Sequence, residues 1–203
     1  MPLVVTPGEP SGVGAEITLK AWKSGETGLF FLLDDPNRVD ERAKLAGLNI
    51  PLRTINCPSE TKECFPHALP ILPHYFPTEC APGKPSVSNA PSIIKAIDIA
   101  VDFIDRGFAC GIVTNPIQKH TLRESGFKYA GHTEYLANLA GAKTIPVMLL
   151  VSSRLRVVPV TIHEPINRIA NLVSTDLIVK VCLIAANSLK KDFGIQSPKI
   201  WIA

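Results

Sequence analysis

The chain has 203 residues, 46% hydrophobic and 19% charged, enough apolar material for one ordinary domain or two small ones, which excludes a disordered polypeptide. Its formal net charge of +3 is spread over mixed signs, too weak and unpatterned for a nucleic-acid or membrane-surface protein, and no apolar run approaches the ~20 residues that cross a bilayer. Five cysteines, an odd number without framework spacing, point to free thiols in a reducing, cytoplasmic compartment, and residues 1–5 lack the basic stretch of a signal peptide.

Residues 3–6 form a short β-prone run that ends at the turn-rich Pro7-Gly8-Glu9-Pro10-Ser11-Gly12-Val13-Gly14. A helix is expected over 15–24, with Ile17 and Ala21 spaced for one face, and a buried strand over 29–33. Asp34-Asp35-Pro36 supplies an N-cap and a first-turn proline for a helix that Gly47 stops, and residues 52–55 read as a third strand. This alternation marks a parallel sheet covered by helices. From 56 to 88 the rhythm stops. Pro58, Pro66, Pro70, Pro73, Pro77, Pro82 and Pro85 leave neither period, while Phe65, Leu69, Ile71, Leu72, Tyr75 and Phe76 are too apolar for a solvated tether. The stretch is expected to be a long ordered excursion without regular elements.

A strong helix resumes over 90–106, with Ile93, Ile94, Ile97, Val101 and Ile104 on one face and Gly107 closing it. A buried strand over 109–114 leads into Asn115-Pro116 and a short helix ending at Gly126. Gly131-His132-Thr133-Glu134 opens the next helix, which Gly141 stops. Residues 146–151 and 155–161 look like neighbouring strands joined by Ser152-Ser153-Arg154. Ser174-Thr175-Asp176 caps a helix that runs to Phe193, and residues 198–203 begin a further strand. A chain that stops inside a strand is expected to be the N-terminal fragment of a longer protein.

Four places carry possible chemistry. Gly8, Gly12 and Gly14 precede a helix, where backbone amides can approach an anion, but the spacing fits neither GxGxxG nor a P-loop, and tight-turn geometry explains the glycines equally well. Thr114 and Lys119 flank a strand-to-helix junction, the edge at which open α/β sheets collect ligands, and can address a phosphate or carboxylate; a cap and a solvated lysine fit the same residues. His132 stands before a capping Thr133 at the positive end of a helix, where a neutral imidazole can bond a substrate oxygen. His163 follows a strand end, a stable mount for a metal-binding imidazole, though one histidine makes no metal site. Cys57, Cys64, His67, His74 and Cys80 lack the CxxC pairs of a structural zinc site, and Cys110 and Cys182 lie in apolar runs that suit core thiols.

Taken together, Val5-Thr6-Pro7-Gly8-Glu9-Pro10-Ser11-Gly12-Val13-Gly14-Ala15-Glu16-Ile17, Val113-Thr114-Asn115-Pro116-Ile117-Gln118-Lys119, Gly131-His132-Thr133-Glu134 and the block from Val147 to Ile166 resemble, in order and spacing, the 4-hydroxythreonine-4-phosphate dehydrogenase family of vitamin B6 (pyridoxine) biosynthesis. The resemblance implies an isocitrate/isopropylmalate dehydrogenase-like two-domain α/β fold, with helices covering a mainly parallel sheet, residues 1–134 in the first domain and 135–203 opening a second. It implies a cytoplasmic homodimer acting on a phosphorylated small molecule with NAD(P) and a divalent metal (zinc, magnesium or cobalt), with no nucleic-acid or membrane partner. It makes His132 and Thr133 substrate contacts and His163 a metal ligand, and leaves the nucleotide-binding residues unknown. The family's other metal histidines and most of its nucleotide site are expected beyond Ala203, so the chain alone is expected to be inactive. Asn89-Ala90-Pro91 departs from the glycine usual before the central helix. Two other readings remain: a phosphate acyltransferase on a related fold, and a non-catalytic dimerisation remnant.

Overall fold

The computed structural model describes residues 1–141 and 145–203, and its two units, Met1–Gly141 and Ala142–Ala203, are built differently. The first unit carries β1 (Leu3–Thr6), α1 (Gly14–Ser24), β2 (Phe30–Asp34), α2 (Pro36–Leu45), β3 (Leu52–Thr54), α3 (Thr61–Cys64), β4 (Leu69–Pro73), α4 (Ala90–Asp105), β5 (Gly111–Thr114), α5 (Lys119–Glu124) and α6 (His132–Leu139). The second carries β6 (Leu150–Val151), β7 (Arg156–Val157), α7 (Ile166–Leu172) and α8 (Thr175–Lys191). Residue 134, the expected domain limit, falls within α6.

The five strands of the first unit are parallel, in the order β3-β4-β2-β1-β5. Strand alternation sends neighbouring residues to opposite faces, and both faces are buried. Val4, Phe31 and Leu33 pack with Ala96 and Ala100 of α4, whereas Val5, Phe30 and Leu32 pack with Leu19 of α1 and Val39 and Ala43 of α2. Fully burying a side chain such as Phe31 or Leu33 contributes roughly 1.5–3 kcal/mol, so β2 anchors both layers. The helix boundaries follow local chemistry. Asp35 accepts a bond from Asn37 N at the start of α2 with Pro36 behind it, and Gly25, Gly47 and Gly107 take left-handed φ just past α1, α2 and α4.

The proline-rich stretch is corrected by the structure: it contains α3 and an interior strand, β4. Proline is normally confined to sheet edges because it offers no N–H. Here Leu69 N donates to Pro51 O on the β3 side and His74 N to Asp34 O on the β2 side. Alternation therefore turns the nitrogen of Pro70 toward β2, before the first β2–β4 pair (Leu32↔Ile71). The nitrogen of Pro73 faces the β3 side, past the last β3 pair (Thr54↔Ile71). Neither proline interrupts the paired part of the ladder.

Other expectations shift as well. The strand expected to be buried over 109–114 is the sheet edge β5, where Val113 is 45% exposed and Cys110 is exposed rather than a core thiol; Cys182 is half-buried. The two strands expected over 146–161 shrink to the antiparallel pairs Leu150↔Val157 and Val151↔Arg156, closed by the Ser152 hydroxyl, which accepts from Arg154 N and Leu155 N. Residues 198–203 form no strand, and Trp201 is 91% exposed. Ser174 caps α8 as expected, accepting from Leu177 N, and no single helix is long and apolar enough to cross a membrane among the described residues.

One side chain ties the loops after β1 and β5 together. The Asn115 amide, buried just past β5, donates to Thr6 O at 3.0 Å and to Thr18 Oγ1 at 2.9 Å, and that hydroxyl donates onward to Gly14 O at 2.9 Å. Strand, turn and helix are thereby fixed from a single position. Asn115→Ala strands the Thr6 carbonyl in a buried environment and is expected to cost about 2–3 kcal/mol in urea unfolding of the chain. A loss below about 0.5 kcal/mol, the ordinary scatter of surface substitutions, would show that the pin is dispensable.

Candidate functional site

The chain leaves β1 toward β2 on one side and returns, through α4, to β5 on the other. The loops after β1 and β5 therefore meet at a topological switch point, beyond the carboxyl ends of the strands, where open α/β sheets bind ligands.

The glycine-rich turn after β1 is filled by protein. Gly8 has φ +68°, and a Cβ there would lie 2.5 Å from Pro116 O; one on Gly14 would lie 2.5 Å from Pro7 O and 3.1 Å from the Asn115 side chain. Glu9 N donates to Pro116 O at 2.8 Å. Close backbone approach is enough to require glycine at both positions. Arg38 and Arg42, both buried on α2, donate to Pro10 O at 2.8 and 3.1 Å, and Arg38 is held in a buried ion pair with Asp34. Glu9 is buried in this framework: its Oε1 accepts from Ser11 N at 3.0 Å, while Oε2 has no partner among the described residues. Burial pushes its carboxyl above the ordinary value, against the Ser11 N–H and the Arg38 charge. Sequence reasoning missed Glu9, Arg38 and Arg42. The signal was the Arg38/Arg42 spacing of four, which places both arginines on one side of α2, the side that the fold buries against Asp34 at the end of β2 and Pro10 O.

The loop after β5 delivers Lys119 as the first residue of α5, whose start is capped by Gln118 Oε1 accepting from His120 N and Thr121 N. The Lys119 side chain lies against Gly131, its Nζ 3.6 Å from where a Cβ would stand. Gly131 is the N-cap of α6, with no side-chain cap. Thr133 therefore does not cap the helix, contrary to the sequence reading; it sits half-buried in the first turn. The orientation of α6 is set one turn further on. Tyr135 is buried, its hydroxyl donates to Asp98 of α4, and its ring packs edge-on to Phe127 at 5.1 Å. Burial and then that bond push the Tyr135 hydroxyl pKa well above its usual range, so it stays a donor.

His132 opens α6, half-buried, with Nε2 buried and without a partner among the described residues. Burial, and secondarily the Lys119 ammonium, hold its pKa below the ordinary histidine value. A neutral imidazole with an unused ring nitrogen, beside an ammonium and the free amides of a helix start, is equipped to bond an oxygen-rich anion.

His163 belongs to the second unit. It is exposed, in a bend beyond β7 rather than at the end of a strand, and its φ of 59° makes it the one left-handed non-glycine among the described residues. That backbone costs on the order of 1 kcal/mol, and such strain concentrates where position matters more than stability. Among the described residues no three His, Cys, Asp or Glu side chains converge, so His163 offers a single ligand and these residues do not by themselves fit a metal.

The profile of the family described as pyridoxal phosphate biosynthetic protein PdxA matches residues 27–203. The 4-hydroxythreonine-4-phosphate dehydrogenase of Methylorubrum extorquens is 40% identical over 210 residues, covering 98% of this chain and 59% of that protein. That of Caulobacter vibrioides is 37% identical over 211 residues, covering 100% of this chain and 62% of that protein. The crystal structure of a 4-hydroxythreonine-4-phosphate dehydrogenase from Burkholderia phymatum matches with a TM-score of 0.82 at 27% identity, over 98% of this chain and 61% of that one. The chain spans about three-fifths of the length of the curated relatives it matches.

The state of His132 is measurable. Its ring titration by NMR is expected below the ordinary ~6.5. Because the folded state holds the proton less tightly than the unfolded state, the unfolded chain binds more protons between the two pKa values. Stability is then expected to rise with pH across that window and to fall on acidification below about 6.5. A His132 titration at or above the ordinary value would remove the neutral imidazole from this account.

Proposed function

This chain belongs to the pyridoxal phosphate biosynthetic protein PdxA family, and we propose that its activity is that of a 4-hydroxythreonine-4-phosphate dehydrogenase: oxidation of the secondary hydroxyl of 4-phosphooxy-L-threonine, followed by loss of CO2 to give 3-amino-2-oxopropyl phosphate. The observation that carries this reading is the half-buried His132 at the start of α6, its Nε2 buried and without a partner among the described residues and its pKa held below the ordinary value. A phosphorylated hydroxy amino acid offers several oxygens to such a group, and a neutral imidazole accepts or donates one bond without burying a second charge.

In this reading His132 and Thr133 contact the substrate. Tyr135 and Asp98 hold α6 so that His132 faces it, and Asn115 keeps the two neighbouring loops in register. A nicotinamide, NAD or NADP, accepts the hydride when bound. The nucleotide-binding residues are not assigned in this chain, so no step is drawn through that cofactor. His163 is assigned as one ligand of a divalent cation, with the rest of the ligand set outside the described residues, and no step is drawn through the cation either. The enzyme is read as a cytoplasmic homodimer.

The test is nucleotide reduction by the full-length enzyme supplied with 4-phosphooxy-L-threonine and a divalent metal. Reduced NAD or NADP is expected, and His132→Ala is expected chiefly to raise KM. His163→Ala is expected to lower kcat/KM by at least roughly 10- to 100-fold, with the melting temperature of the metal-free protein unchanged. No nucleotide reduction, with acyl transfer to phosphate in its place, would overturn the dehydrogenase reading. Full activity and metal content in His163→Ala would remove that residue from the metal site.

A further inference from the structure

Lys119 is exposed at the first position of α5 and, like most lysines of the chain, forms no ion pair among the described residues. Its chain is nonetheless directed. Cε and Nζ lie 3.5 and 3.6 Å from the Cβ position of Gly131, and Glu134 Oε2 lies 3.8 Å from the same point, without closing an ion pair to Lys119. Two mounts fix this arrangement independently. Gln118 caps α5 beneath Lys119, and Thr121 and Leu122 of the same helix are buried; Tyr135 locks α6 to Asp98 of α4. The next residue after Gly131 is His132, with its buried and unused Nε2. An ammonium and an imidazole nitrogen with no partner among the described residues are thus set side by side by two separately anchored helices, an arrangement suited to bonding one oxyanion.

We propose that Lys119 binds an oxyanion of the substrate jointly with His132, so that the recognition element is a Lys119–His132 pair spanning α5 and α6. The proposal rests on the functional reading above and extends it to a residue outside the Gly131-His132-Thr133-Glu134 segment. The chemistry defines the ligand class. Lys119 supplies the charge, and His132, kept neutral beside that ammonium, supplies a directional bond without a second positive charge. The nearby Glu134 carboxylate disfavours a bare anion and favours one that also carries a hydroxyl or ammonium donor. A phosphorylated hydroxy amino acid meets both conditions. The oxyanion is then either its phosphate or its carboxylate.

NMR titration of this chain, observing the His132 ring, separates these sources with two probes, inorganic phosphate and L-threonine. A response to phosphate assigns the pair to the phosphate end; a response to threonine assigns it to the amino-acid end. In either case Lys119→Met is expected to weaken the dissociation constant roughly 10- to 100-fold, the effect of losing one charge-assisted bond, while Lys119→Arg retains most of the affinity. Lys119→Met is also expected to move the His132 titration upward, which checks that the ammonium lies beside the ring; an unchanged melting temperature verifies that the variant folds. Absence of a response to both probes, or a response that Lys119→Met leaves intact, would overturn the proposal. The dehydrogenase reading fails by a different result, the absence of nucleotide reduction by the full-length enzyme.

Discussion

The Asn115 amide is the interaction on which the site depends. It lies where β5 ends, yet its two hydrogens are given to the end of β1 and to the second turn of α1. Three segments distant in sequence are held at one point, and Gly8 and Gly14 are glycines because the backbone closes so tightly around it. Neighbouring parallel strands leave their loops free to diverge; here the loops after β1 and β5 are stitched into one surface, with Glu9 N on Pro116 O as a second stitch. The buried arginines of α2 continue the same construction from beneath by holding Pro10 O. Removing one partner from such a buried charge pair is expensive, so the turn inherits the rigidity of the core.

On that platform the charges are distributed economically. Among the described residues Lys119 forms no ion pair, His132 Nε2 has no partner, and the start of α6 has no side-chain cap. These are the groups that the proposed oxyanion, with its own hydrogen-bond donors, would bond. The aromatic contacts of Tyr135, together with its bond to Asp98, make the arrangement a property of α4 and α6 rather than of a loose loop. In the second unit His163 shows the same preference for position over stability, in a left-handed backbone.

Much of this was legible in the residues. The alternation of strand and helix up to residue 55, the caps at Asp35 and Ser174, and the stopping glycines follow from local rules, and the parallel sheet follows from them. The helix opened by Gly131-His132-Thr133-Glu134 was legible because a glycine ahead of Thr and Glu marks a helix start. Strand β4 was not, because proline is excluded from strands by a missing donor, and only the register shows that neither Pro70 nor Pro73 faces a ladder partner. The exposure of β5 was hidden because an apolar run does not say whether it is central or at an edge. Arg38 and Arg42 were missed because their burial depends on a loop from elsewhere in the chain. Thr133 looked like a cap by type, but Gly131 takes that position.

The central claim is that the start of α6, with the loops stitched by Asn115, is the place that receives the substrate. Hydrogen–deuterium exchange of this chain with and without 4-phosphooxy-L-threonine tests it most directly. The account predicts ligand-dependent protection of amides 131–135, of which only Tyr135 N is bonded within the helix, to Gly131 O, and of the loop after β5. Protection confined to other segments, with residues 131–135 unchanged, would contradict it.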